Sequence, residues 1–158
     1  MPNIQIRNGI QSIEEVRKLF IEYSENLGFD LCFQNFDQEL ERLPGEYSPP
    51  SGRILLATDD TVPIGVVALT KIDAHYAEVR RLYVRPAHRA RAIGRMLMEA
   101  ALAEATKIGY RYIRLHTLPV MKTAVALYRS MGFLTIEPYS DNPVEGALFF
   151  QLDLTKVR

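Results

Sequence analysis

Glu78–Leu97 reads EVRRLYVRPAHRARAIGRML, and it contains the change from strand to helix around which the chain is organised. Val79, Leu82, Tyr83 and Val84 supply β-branched and aromatic bulk, so the stretch opens as a strand. Arg85-Pro86 stops the ladder, because proline brings no N–H and disfavours helix in the residue before it. Ile93, Met96, Leu97, Ala100, Ala101 and Ile108 then recur at helical spacing, which predicts a long amphipathic helix from near Ala92 to Ile108, ended by Gly109. Between the two lies Arg89-Ala90-Arg91-Ala92-Ile93-Gly94-Arg95, basic and lined with small side chains. A helix start carries unpaired N–H groups and roughly half a positive charge. Small residues let a phosphate approach those groups, and arginines add charge-assisted hydrogen bonds. The stretch therefore reads as an anion cradle of pyrophosphate size, although a basic, alanine-rich surface turn has the same composition.

Outward from this stretch, Asn3–Arg7 alternates as a first strand and Ser12–Leu27 carries one apolar stripe of Val16, Leu19, Phe20, Tyr23 and Leu27. Ser12 and Glu15 fit a capping box at its start. Residues 29–50 are aromatic but irregular, with a short helix expected over Phe36–Leu43; they read either as a loop pinned by its aromatics or as a lid over a substrate pocket. Arg53–Thr58, Ile64–Ile72 and Tyr76–Arg85 form an antiparallel run. Arg111–Thr117, a helix around Met121–Met131, Phe133–Glu137 and Ala147–Leu154 complete the pattern. Alternation puts Glu78, Arg80, Leu82 and Val84 on one face of their strand, with Val79, Arg81 and Tyr83 on the other. It also makes 147–154 a closing strand with one face in the core, whose exposed edge would favour a homodimer.

The expected architecture is α/β (α+β): one domain, 1–158, with a mixed, mostly antiparallel twisted sheet of about seven strands and helices on both faces. A ligand crevice belongs between the strand ending at Arg85 and the one ending at Thr117, where the strand order changes.

Lys plus Arg and Asp plus Glu are equal at 19, a balance that argues against nucleic-acid or anionic-membrane partners. The single cysteine, Cys32, excludes an internal disulfide and fits a reducing compartment. MPNIQIRNG lacks the apolar segment of a secretion signal, and no apolar run approaches the roughly 20 residues of a membrane span. The expectation is a cytoplasmic protein. His75, His88 and His116 are scattered without metal-ligand spacing, so no metal is expected.

Arg89-x-x-Ala92-x-Gly94 resembles the Gln/Arg-x-x-Gly-x-Gly/Ala pyrophosphate loop of the GNAT superfamily of acetyl-CoA-dependent N-acetyltransferases. Leu82–Pro86 is similar to that family's central strand, and Ala124, Leu127-Tyr128 and Gly132-Phe133 resemble its A-x-x-L-Y-x-x-x-G-F helix. The order of elements agrees from about Ile4 to Leu154.

The resemblance implies a GNAT-like acyl-CoA N-acyltransferase fold, acetyl-CoA as cofactor and direct attack by a primary amine of a small molecule in a ternary complex. A non-catalytic acyl-CoA-binding or regulatory module, and an acetyltransferase of protein amino termini or lysines, are the alternatives. By position, the resemblance makes Tyr128 the general acid and Glu78 the base, and it assigns CoA contacts to backbone around Leu82, Tyr83 and Val84 and to Arg89–Arg95. Ala92 replaces the first loop glycine, and Met121 stands where an asparagine is frequent, with Lys122 as the substitute contact. Phe33, Arg80, His116, Tyr139 and Asn142 are the candidates for the acceptor side.

Overall fold

The computed structural model describes residues 3–27, 35–140 and 146–156. Phe33 and Asn142, both named above, lie outside the described residues, as do Asp141 and Glu145. The strands are β1 (Ile4–Asn8), β2 (Arg53–Asp59), β3 (Val62–Lys71), β4 (Tyr76–Val84), β5 (Tyr112–Thr117), β6 (Leu134–Ile136) and β7 (Leu148–Asp153). The helices are α1 (Ile13–Leu27), α2 (Phe36–Arg42), α3 (Ile93–Ile108) and α4 (Lys122–Ser130). Among the described residues no helix is long and apolar enough to cross a membrane.

One sheet of seven strands runs in the order β1-β2-β3-β4-β5-β7-β6. Every neighbouring pair is antiparallel except β4 and β5. On one face, Ile93, Leu97, Met98, Ala101 and Ala105 of α3 pack with Val125 and Tyr128 of α4 over Val79, Ile113 and Phe150. On the other, Val16, Leu19 and Phe20 of α1 and Phe36 of α2 pack over Ile54, Leu56, Val66 and Tyr83. Each large apolar side chain sealed in these layers contributes roughly 1.5–3 kcal/mol. Gly109 ends α3 with φ +113, a left-handed conformation open to glycine at little cost.

The segment between α2 and β2 is ordered by its own contacts. Tyr47 is fully buried edge-on against Phe20, and the Glu46 carbonyl accepts from Thr70 Oγ1 at 3.1 Å. A Cβ at Gly52 would sit 2.6 Å from the Tyr47 carbonyl carbon, so the chain closes over this turn only with glycine there. Arg17 Nε donates to the Leu40 carbonyl at 3.1 Å and ties α2 to α1.

Three expectations are corrected. The alternation drawn for β4 fails at Arg81, which has φ +61 and shifts the register against β3 between Ala68 and Val66. This bulge spends one extra residue, so Arg81 and Tyr83 stay on the face that carries Glu78 and Arg80, while Leu82 and Val84 turn to α3 with Val79. The strand at 148–153 is not an edge: it pairs with β5 on one side and β6 on the other. The side-chain cap before α1 comes from Asn8, whose Oδ1 accepts from the Ile10 N–H at 2.9 Å and opens a 3-10 turn over Gly9–Ser12.

Candidate active site

The parallel neighbours β4 and β5 pair only at Tyr76–Tyr112, Ala77–Ile113 and Glu78–Arg114. Beyond these positions β4 runs on to Val84 and β5 to Thr117 with no pairing between them. The sheet parts there, at the crevice expected from the strand order, and the β5-facing edge of β4 through Leu82, Tyr83 and Val84 keeps backbone groups without a strand partner. The Arg81 bulge lies at the parting and re-aims the strand.

At the open end, β4 leads through Arg85 into a 3-10 turn over Pro86–Arg91, which includes Ala90, and then into Ala92 at φ +59, ψ +24. α3 begins at Ile93 with no side-chain cap, and its first backbone bond runs from Met96 N–H to the Ala92 carbonyl at 3.1 Å. The amides of Ile93, Gly94 and Arg95 therefore lack helical acceptors at the positive end of a helix of 16 residues. A Cβ at Gly94 would meet nothing closer than Leu127 Cδ2 at 3.6 Å, so packing does not demand glycine there. Arg89 is exposed; its Nε donates to the Val84 carbonyl at 2.8 Å, and its guanidinium lies 5.7 Å from the Tyr83 ring centre. Arg91 is drawn to Asp59 at 3.1 Å, and Arg95 Nη2 donates to Ser130 Oγ at 2.5 Å.

Tyr128 is buried on α4, its ring tilted against Phe133 and Phe150 at 5.9 and 6.2 Å. Among the described residues no group hydrogen-bonds its hydroxyl. Burial raises its pKa, with a further contribution from Tyr23 of α1 on the far face, so the phenol keeps its proton. Lys122 is exposed at the start of α4, and the Met121 sulfur accepts from Thr117 Oγ1 at 3.7 Å.

Below the parting sits a polar cluster gathered around a buried carboxylate. Glu78 is 3 % exposed; its Oε1 accepts from Arg80 Nε, and its Oε2 accepts from the Tyr139 hydroxyl at 2.5 Å. His116 Nε2 stands 4.0 Å from the same Oε2, with the imidazole stacked on Phe149 at 5.3 Å and edge-on to Tyr139. Burial lowers the His116 pKa, Glu78 pulls it back up, and Arg80 and Arg81 lower it again. Burial also raises the Tyr139 pKa, and the Glu78 charge raises it further. Arg80 Nη1 reaches Glu46 Oε1 at 2.6 Å. The structure thus gathers four of the predicted residues, Glu78, Arg80, His116 and Tyr139, from three separate stretches, and sets them apart from the amides of the 89–95 bend.

The sequence reading missed Glu39, Glu46, Tyr47 and Arg114. Arg81 makes two bonds to Glu39, at 2.7 and 3.0 Å, with side chains 3 % and 7 % exposed. Arg114 lies 4.2 and 5.0 Å from the ring centres of Tyr76 and Tyr139. Nothing local marks these partners, because Glu39 and Arg81 stand 42 residues apart.

The model of the Acetyltransferase (GNAT) family matches residues 13–133 of the chain. The chain belongs to the GNAT acetyltransferase family. An uncharacterized N-acetyltransferase of Schizosaccharomyces pombe is 36% identical over 148 residues, covering 92% of this chain and 91% of its own. A GNAT-family acetyltransferase of Staphylococcus aureus Mu50 superposes with a TM-score of 0.79 at 20% identity, over 96% of this chain and 99% of its own. The PaiA N-acetyltransferase of Thermoplasma acidophilum, solved in complex with coenzyme A, superposes with a TM-score of 0.72 at 20% identity, over 96% and 99%. These two structural likenesses carry the GNAT fold. Within it, the parting of β4 and β5 leads to the uncapped start of α3 at one end and to the Glu78 cluster at the other.

Proposed function

We propose that this GNAT acetyltransferase moves the acetyl group of acetyl-CoA to the primary amine of a small molecule, by direct attack in a ternary complex. One observation carries the reading. The gap between β4 and β5 has an uncapped helix start on its α3 side and the buried Glu78 carboxylate with its polar partners at its closed end.

The cosubstrate fits the bend, because the amides of Ile93, Gly94 and Arg95 are uncapped and Gly94 puts no side chain in front of them. Those amides and the exposed Arg89 guanidinium hold the diphosphate, with Lys122 at the start of α4 as a further contact. Acetyl-CoA supplies the activated acyl group as a thioester. The unpaired edge of β4 through Leu82–Val84 offers backbone donors where carbonyl charge grows. Tyr128 holds a proton on its phenol oxygen and donates it into the gap. Glu78 Oε2, held by Tyr139 and close to His116, collects the amine proton. A cavity of about 380 Å³ between α2 and Arg80 has the size of a small acceptor. The one cysteine fits a cytoplasmic setting.

Free-thiol release from acetyl-CoA across an amine panel, with mass spectrometry of the products, tests this. Acetylated amine should appear with at least one member. Saturable CoA binding without thiol release from any amine would leave an acyl-CoA-binding module instead.

A further inference from the structure

The cavity beside Arg80 has an uneven supply of charge. Its lining includes Asn35, Gln38, Arg42 and Tyr47 together with Glu39, Glu46 and Arg80. Glu39 is taken up on both oxygens by Arg81. Arg80 is shared between Glu46 in the lining and Glu78 outside it, so these two carboxylates outnumber the one cation between them. At the outer end Arg42 is exposed at the last turn of α2, and among the described residues it has no hydrogen-bond or ion-pair partner. Between them the Tyr47 hydroxyl is buried without a hydrogen bond, in the fields of Glu39, Arg81, Arg80 and Glu46. A buried hydroxyl left unsatisfied is costly, and it points to a group that arrives with the ligand.

We propose that this cavity binds an amino acid as the acetyl acceptor, its ammonium toward Glu46 and its carboxylate on Arg42, with the Tyr47 hydroxyl bonding it between them. The proposal rests on the acetyltransfer reading above and narrows its acceptor. A guanidinium suits a carboxylate because it presents parallel N–H donors to the two oxygens. Glu46, which has only a share of Arg80, attracts the amine toward the residues that remove its proton. Arg42 selects the acceptor and takes no part in proton transfer.

The test compares α- and ω-amino acids with their carboxamides, in thiol release and in calorimetric titration with CoA present, for the native chain, Arg42→Gln and Tyr47→Phe. Removing one charge-assisted contact should raise KM about tenfold or more in Arg42→Gln with kcat held, and should erase the preference for acids over amides. Tyr47→Phe should raise the melting temperature, since it removes an unsatisfied hydroxyl, while weakening amino-acid binding severalfold. A merely structural hydroxyl would change the melting temperature alone. Amides used as well as acids, or a preference that survives Arg42→Gln, would overturn the proposal. If no amine releases thiol, calorimetry still decides. Amino-acid binding weakened by Arg42→Gln upholds the subsite and removes the acetyltransfer reading, whereas no amino-acid binding removes the subsite.

Discussion

Gly94→Asp separates the needs of the fold from those of the ligand, because its effects on the two carry opposite signs. Residue 94 is the second residue of α3, at an end with no side-chain cap. A Cβ there first meets Leu127 Cδ2 at 3.6 Å, an ordinary contact, so the fold accepts the substitution. Leaving glycine in a helix gains a few tenths of a kcal/mol, and a carboxylate in the first turn adds about 0.3–1 kcal/mol through the helix dipole. The free protein should gain about 0.5–1 kcal/mol, which for a domain of this size raises the melting temperature by about 1–4 °C. The same carboxylate repels a diphosphate on these amides. One like charge at about 6 Å costs about 3 kcal/mol at an effective dielectric of about 20, close to a hundredfold in affinity. Differential scanning fluorimetry of the free protein and calorimetry with CoA read the two effects. A higher melting temperature with an unchanged Kd would refute the cradle. A melting temperature lower by several degrees would refute the packing argument instead.

Other expectations follow from particular contacts. Tyr128→Phe should lower kcat by tenfold or more and leave CoA affinity and melting temperature near native, since its hydroxyl bonds no described group; unchanged turnover ends the assignment of the acid. Glu39→Ala removes both bonds to an Arg81 side chain that is 3 % exposed and should cost about 3–5 kcal/mol in urea unfolding; a loss under about 1 kcal/mol would show that the pair is dispensable. Burial lowers the His116 pKa below its ordinary 6.5, so as pH falls through that value the unfolded chain takes up the proton first and stability drops. His116→Gln should flatten this part of the melting-temperature profile below about pH 6.5, and parallel profiles would contradict a buried neutral imidazole.

Where local chemistry sets a structure, the sequence is readable. Arg85-Pro86 had to end β4, Gly109 had to end α3, and helical spacing from Ile93 to Ile108 fixed that helix and the bend before it. The Arg81 bulge was hidden, because strand alternation assumes a regular register and an arginine at φ +61 announces nothing in its neighbours. The place of the last strand pair was hidden too, since sequence order does not say that β6 pairs outside β7. In the proposed site, Glu78 and Tyr128 are assigned through motif position, while their neighbours were out of reach. The bond from Tyr139 to Glu78 spans 61 residues, and the pairing of Arg80 with Glu46 spans 34. Such meetings depend on how the sheet is threaded, which periodicity within one element cannot carry.

The closed end of the β4–β5 parting is fastened by the stacked rings of Tyr76 and Tyr112, 4.7 Å apart at 19°, with the Arg114 guanidinium laid across Tyr76. This makes a rivet: two half-sheets are joined at one short seam and spread from it like the blades of shears. Residues beyond the seam can be exchanged without touching the contact that keeps the angle between the half-sheets, so the fold does not rest on the open end.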